Sequence, residues 1–295
     1  MPRDQSAARG IALMILAIFF FSLMDVAAKA LGQRSDTVMA VWARYTGQML
    51  IVLALIAPRA QAVIATRYLS LQIVRSVLLL MATVFMFFGL ARIGLAEATA
   101  VMAVNPLLIT LGAAVFLGEA LGWRRMAGIG TALIGAMIVI RPGSDVFSTD
   151  ALLPLAGAIC FAGYALVTRR VGRDEDPWTS LFYTGLVGAL ALSAVVPAFW
   201  QPPDGITLAL LALIGVLGMA GQLFLIRALT IADAGTVAPF AYTGVIFATA
   251  WGLLLFDEWP DATTVLGALV IVGAGLYVWH RETRARPHRA APRGA

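Results

Sequence analysis

Residues 77–90 read VLLLMATVFMFFGL. Nothing in this stretch is charged, and its apolar side chains follow one another without the in–out alternation of a barrel strand. Leu208–Leu217 repeats the pattern in the second half of the chain. The whole composition agrees with these runs: of 295 residues 61% are hydrophobic and 13% charged, and the mean hydropathy is +0.89. Soluble domains run nearer ~45–50% apolar and ~25% charged, so the excess apolar side chains need lipid as their solvent. Backbone groups in lipid must bond internally, which leaves helices or a closed barrel, and unalternated runs select helices. Working outward from Val77 and cutting at charges, Gly and Pro gives ten apolar segments: 10–31, 37–57, 69–91, 95–117, 123–141, 151–170, 178–199, 206–227, 235–256 and 262–280. The fold class is therefore an all-α membrane protein with ten transmembrane helices.

The N-terminal segment has a basic start, Arg3 and Arg9, before an apolar run from Ile11 to Leu23. No A-x-A-like cleavage site leads from it into a soluble domain, so it reads as the first span. The single cysteine, Cys160, excludes an intrachain disulfide and reads as a small packing residue. The net charge of +5 is spread over loops and tail, so it reports topology rather than nucleic-acid binding. With a cytoplasmic N-terminus, 15 Lys and Arg fall on the inside and four outside (Lys29, Arg34, Arg92, Arg141), with Arg44 and Arg75 inside spans. The positive-inside rule then puts both termini in the cytoplasm of a bacterial-type inner membrane. The tail arginines Arg281, Arg284, Arg286, Arg289 and Arg293 can lean on anionic lipid. Trp123, Trp178, Trp200, Trp259 and Trp279 sit at expected helix ends, as an aromatic belt requires.

The two halves resemble each other. Arg44-Tyr45-Thr46-Gly47 recurs as Phe182-Tyr183-Thr184-Gly185 after 138 positions. Phe87, Ala91 and Thr99 match Phe224, Ala228 and Thr236 after 137, and Leu117-Gly118-Glu119 matches Phe256-Asp257-Glu258 after 139, followed by Gly128 and Gly267. A repeat of five spans is odd in number, so its second copy enters the membrane from the opposite side. The expected organisation is a first repeat over 1–145, a second, inverted repeat over 146–280, and a basic cytoplasmic tail over 281–295.

The duplicated five-plus-five pattern, together with the apolar-Gly-Glu ending and the glycine-rich helices behind it (Gly128, Gly130, Gly135; Gly267, Gly273, Gly275), resembles the drug/metabolite transporter superfamily in its EamA-type branch. The late Lys29 and early Arg44 fit as well, and the second copy departs from the Gly to Asp257. This resemblance covers nearly the whole chain. It implies a carrier with a central cavity and alternating access, and members of the family move amino acids, nucleotide sugars, vitamins or drugs.

Ionisable groups inside a span cost roughly 2.5–3.5 kcal/mol each, which makes them functional candidates. Asp25 and Arg44 lie at matching depth, ~9–11 Å below the outer edge, and Lys29 follows Asp25 at i+4. They read either as a structural ion pair or as a gate and head-group contact. Arg75, in the inner leaflet, either snorkels to the surface or binds substrate. Arg92 and Glu97 read as a rim pair, and Glu258 as a structural helix end. Asn105-Pro106 in the fourth segment and Pro239 in the ninth interrupt corresponding helices, which points to a transport site. Tyr242 falls in register with Asn105, and Tyr164, Gln222 and Trp251 complete the expected lining. The alternative for these polar groups is interhelical bonding. Gly215, Gly218 and Gly221 read as a packing stripe.

Both histidines, His280 and His288, lie at or beyond the last span, and no P-loop, H-E-x-x-H or G-x-S-x-G occurs. The expectation is a secondary transporter with no cofactor, no metal and no catalytic residues, acting as a monomer or homodimer on a small-molecule substrate in the bilayer, without nucleic acid. Amino-acid efflux is the first expectation. The alternative is a larger aromatic compound such as a vitamin, nucleoside or drug. A membrane-embedded enzyme or a channel would need a catalytic cluster or polar rings, and the sequence has neither.

Overall fold

The structure, a computed structural model, describes residues 3–117, 123–140, 149–172, 174–232 and 237–285. Gly118, Glu119, Arg141, Arg173, Thr236, the 145/146 boundary and the tail arginines from Arg286 onward lie outside these residues, as does the side chain of Trp279. Among the described residues all regular structure is helical. The helices are α1 (Arg3–Gly32), α2 (Thr37–Ile56), a short α3 (Ala60–Ile64), α4 (Leu69–Leu90), α5 (Leu95–Met102), α6 (Asn105–Leu117), α7 (Trp123–Ile140), α8 (Leu152–Val171), α9 (Pro177–Val195), α10 (Gly205–Ile231), α11 (Thr243–Phe256) and α12 (Ala262–Ala285).

Aspartates start several of them. Asp36 accepts from the Val38 N–H at 2.8 Å, Asp176 from that of Trp178 at 2.9 Å, and Asp204 from that of Thr207 at 2.7 Å. Each satisfies a donor that the first helical turn leaves open. Asp204 also receives Arg34 at 3.0 Å, and hydrogen bonds from Thr207 and then Arg34 hold its carboxyl down at about 2.

Among the described residues six helices are long and apolar enough to cross a membrane, and shorter apolar helices cover Leu95–Ile109, Met126–Val139, Phe240–Phe256 and Ala262–Tyr277. The fourth expected segment, 95–117, is not one continuous helix. It stops at Met102, turns through Ala103 and Val104, and restarts at Asn105, because Pro106 has no N–H to continue the ladder. The ninth is interrupted in the same way: a 3₁₀ turn at Ala238–Tyr242, with its proline at the start, precedes α11.

Helix pairing follows a two-fold pattern. α1 packs along α10, and α4 packs along α8. Adding five to the order of the first–eighth pair of segments converts it into the sixth–third pair. The other long contacts, α2 with α9 and α7 with α12, are their own mates under the same shift. α2 also crosses α10 backbone to backbone: a Cβ on Gly47 would stand 2.7 Å from the Cα of Gly215. A turn along α10, a Cβ on Gly218 would press the Arg44 Cγ at 3.2 Å, so this glycine leaves room for the guanidinium stem. Leu50, Leu190, Leu208, Leu254 and Leu269 stand more than half exposed on the outer faces, where lipid is their solvent. Trp123, Trp200 and Trp259 are exposed at helix ends.

Candidate functional site: a one-sided central cavity

A cavity of about 920 Å³ lies among α1, α4, the α5–α6 break, α8, the end of α10 and the start of α11. Helical spacing writes it into the sequence. α1 contributes Met14, Ile18, Phe21, Ser22 and Asp25, one face at steps of three and four. α8 contributes Phe161, Tyr164, Ala165, Thr168 and Arg169, and α4 contributes Leu79, Ala82, Thr83, Met86 and Phe87 at the same steps. From Met14 to Asp25 the wall runs about 16 Å.

The two ends of this cavity differ. At the Met14 end, Arg169, Gly172, Thr230 and Ile231 are exposed, and the cavity opens on the side where α1 begins. Beyond Asp25 it is closed. Lys29, 7% exposed, donates to the carbonyls of Leu90 at 3.2 Å and Ile93 at 2.8 Å and pairs with the Glu258 carboxylate at 2.8 Å. The other oxygen of Glu258 accepts the Leu95 N–H at 2.9 Å. One cluster around the buried Lys29 thus joins α1, the α4–α5 turn and the end of α11. Arg92–Asp150 at 3.6 Å and Arg34–Asp204 at 3.0 Å add exposed pairs on the same side.

Glu258 is aimed by its neighbour. Asp257 has φ 53°, the left-handed conformation that ends a helix, and the Glu258 N–H closes on the Gly252 carbonyl at 3.0 Å. Aspartate is among the few residues with a side chain that tolerate this conformation. Lys29 was expected to face Asp25 at i+4, and Glu258 to be a mere helix end. The long-range pair replaces the local one because Lys29, a turn beyond Asp25, meets two carbonyls and a carboxylate together. Arg92, expected to pair with Glu97, instead reaches Asp150.

Asp25 and Arg44 both line the deep end of the cavity, yet they form no ion pair here. The Arg44 guanidinium donates from Nη1 to Thr83 at 2.7 Å and from Nε to the Met24 sulfur at 3.3 Å, and lies 4.7 Å from the centroid of the Tyr45 ring. Thr83 passes its own proton to the Leu79 carbonyl and shares a 2.9 Å bond with the Tyr45 hydroxyl. Thr83 was missed in the sequence because a lone threonine in an apolar helix ordinarily bonds only its own backbone.

Asn105, Tyr164 and Tyr242 lie on the wall. The Asn105 side-chain oxygen is buried without a partner, as are the Thr99 hydroxyl and that of Tyr242, which packs against Gly275 of α12. Arg75, Gln222 and Trp251 are not on the wall. Arg75 is fully buried behind it, donating to Thr168 at 3.1 Å, to Gln72 and the Ser180 carbonyl at 2.9 Å and to the Tyr164 hydroxyl at 3.2 Å. It neither snorkels nor touches the cavity, because four internal acceptors compete with the surface. Gln222 donates to the same Tyr164 hydroxyl, so Tyr164 is clamped from two sides. Trp251 donates to Ser22 at 3.1 Å and stands behind α1. Among the described residues no cluster of His, Cys, Asp or Glu could hold a metal ion.

A cavity with an apolar wall, a few polar groups and one sealed end is a site for binding and release rather than for bond-making. The comparisons with known proteins agree. The model of the EamA-like transporter family matches residues 8–141 and again 149–279. A riboflavin transporter of Rhizobium johnstonii is 32% identical over 285 residues, covering 94% of this chain and 93% of its own. An S-adenosylmethionine uptake transporter of Rickettsia felis is 27% identical over 276 residues, 94% of each chain. A pseudopaline exporter of Pseudomonas aeruginosa is 30% identical over 275 residues, 90% of this chain and 94% of its own. A solved crystal structure at 20% identity superposes with a TM-score of 0.67, covering 97% of this chain and all of that one, and so shares the fold. The chain is a multi-pass membrane protein belonging to the EamA-like transporter family, a family of transporters and not of enzymes.

Proposed function

We propose that this protein is an alternating-access carrier of an amphipathic metabolite of vitamin or nucleoside size. The observation that carries the proposal is the one-sided cavity, open past Met14 and sealed beyond Asp25 by the pair of buried Lys29 with half-buried Glu258. With the N-terminus cytoplasmic, this is an inward-open state, and the Lys29 cluster is its outer gate. The halves 1–145 and 146–280, inverted relative to each other, can close either side with similar packing, and the two-fold helix pairing supports that reading. At about 920 Å³ the cavity lies at the upper end of the ~300–1,000 Å³ that sites for drug-sized ligands occupy, which favours the larger substrate class over free amino acids. The relatives named for S-adenosylmethionine, riboflavin and pseudopaline support the same size class.

Flux into proteoliposomes tests this directly, with labelled S-adenosylmethionine, riboflavin and a panel of amino acids. Saturable exchange of a solute of the larger class is expected. Saturable flux of free amino acids alone would return the reading to amino-acid efflux, and unsaturable conduction would make the protein a channel.

A further inference from the structure

The sealed end of the cavity holds a carboxyl and a guanidinium that do not pair with each other. Asp25 lines the wall and makes no hydrogen bond or ion pair with any described residue. Arg44 is 2% exposed and held in place by Thr83, Met24 and the Tyr45 ring, and its Nη2 donates no hydrogen bond to a described residue. Toward the mouth the wall turns apolar and aromatic through Ile18, Phe21, Leu79 and Phe161.

We propose that Asp25 and Arg44 form an amphoteric head-group site, with Asp25 taking the ammonium and Arg44 the carboxylate of one zwitterionic ligand whose uncharged body lies along the apolar wall. The proposal rests on the carrier reading above and names the substrate class of that same cavity. A purely cationic ligand would satisfy Asp25 but face the fixed guanidinium, and a purely anionic one would face Asp25. A neutral ligand would leave both groups at the sealed end unmet. Only a ligand with both charges meets the pair without a like-charge contact, and specificity follows from the repulsion of the others. Arg44 is anchored before the ligand arrives, so little ordering is needed for its Nη2 to donate to the carboxylate.

The experiment uses the full chain in lipid nanodiscs and two probes that share an adenosyl thioether body. S-Adenosyl-L-homocysteine carries the ammonium and carboxylate, and 5′-methylthioadenosine carries neither. The expected result is that the head-bearing probe binds at least about tenfold more tightly, that Asp25→Asn removes most of that preference, and that binding of the headless probe changes by less than about twofold. Because Arg44 is buried and its variants can misfold, Thr83→Val serves as the second variant. It removes the anchor of the guanidinium and is expected to weaken the head-bearing probe alone. Equal binding of the two probes, equal weakening of both by Asp25→Asn, or no binding of either by the unaltered protein would overturn the proposal. Flux of the same probes separates the two readings. Equal carriage of both leaves the carrier standing and removes the head-group site, whereas selective binding without flux removes the carrier and leaves the site.

Discussion

Lys29 and Glu258 show how much a pair of residues can add beyond their charges. Each sits at a helix end where a sequence reader expects a rim residue, and together they close one end of the cavity at 2.8 Å. Glu258→Gln keeps the shape and removes the charge. Removing the Glu258 charge leaves buried Lys29 with its two carbonyl acceptors and no counter-charge. The change is expected to weaken the closed end by about 1–2 kcal/mol, a five- to thirtyfold shift toward opening. Side-specific labelling of a cysteine near Leu95 reads that shift, and unchanged labelling would reduce the pair to decoration. Arg75 belongs to the opposite category, acting entirely through Tyr164 and Thr168. Arg75→Met strips donors from four acceptors and is expected to cost about 3 kcal/mol, measured as a loss of thermal stability in detergent. Asn105, Tyr164 and Tyr242 were legible as lining and Asp25 and Arg44 as charges at one depth, because charge, depth and proline interruptions survive in one dimension; the direct Asp25–Arg44 pair expected from that depth is not formed here. The partnership of Lys29 with Glu258 was not, since it joins residues 229 positions apart. A long-range pair leaves no periodicity to read.

Among elements, the interrupted α5–α6 and the turn before α11 both contribute to the cavity wall, and prolines announced both interruptions. The glycine stripe on α10 was also legible, though its partners were not: Gly215 meets Gly47, and Gly218 makes room for Arg44. Gly215→Ala places a Cβ 2.8 Å from the Gly47 Cα, where neither backbone can yield without separating α2 from α10. About 1–3 kcal/mol of stability should be lost. The cap at Asp257 offers a sharper test, because its φ of 53° suits glycine and penalises a branched side chain. Asp257→Gly is expected to be neutral or mildly stabilising. Asp257→Val should cost about 1–2 kcal/mol and loosen Glu258, seen as a lower melting temperature together with more labelling beyond Lys29. At the start of α10, the Asp204 carboxyl is held down at about 2 by Thr207 and Arg34. A lowered carboxyl contributes stability fully above its ordinary value and loses it as pH falls through the lowered one. The capping contribution should therefore be flat at neutral pH and fade only toward pH 2, and Asp204→Asn should remove that acid dependence from the melting curve.

At the scale of the whole molecule, composition was enough for membrane helices, and the near-constant offset between halves was enough for the family. The pairing of α1 with α10 and α4 with α8 required the structure, because many arrangements of apolar helices satisfy one hydropathy profile. The account predicts one cavity reached from two sides in turn. The most direct measurement places a single cysteine at Ile18, midway along the cavity wall, after Cys160→Ala, and labels it with an impermeant thiol reagent from each side of sealed vesicles. Ile18→Cys should label from the cytoplasmic side in the unaltered gate and become reachable from the outside when Glu258→Gln is added, with cytoplasmic labelling falling as outside labelling rises. Labelling from both sides at once in the same preparation, or none from outside under any condition, would contradict alternating access.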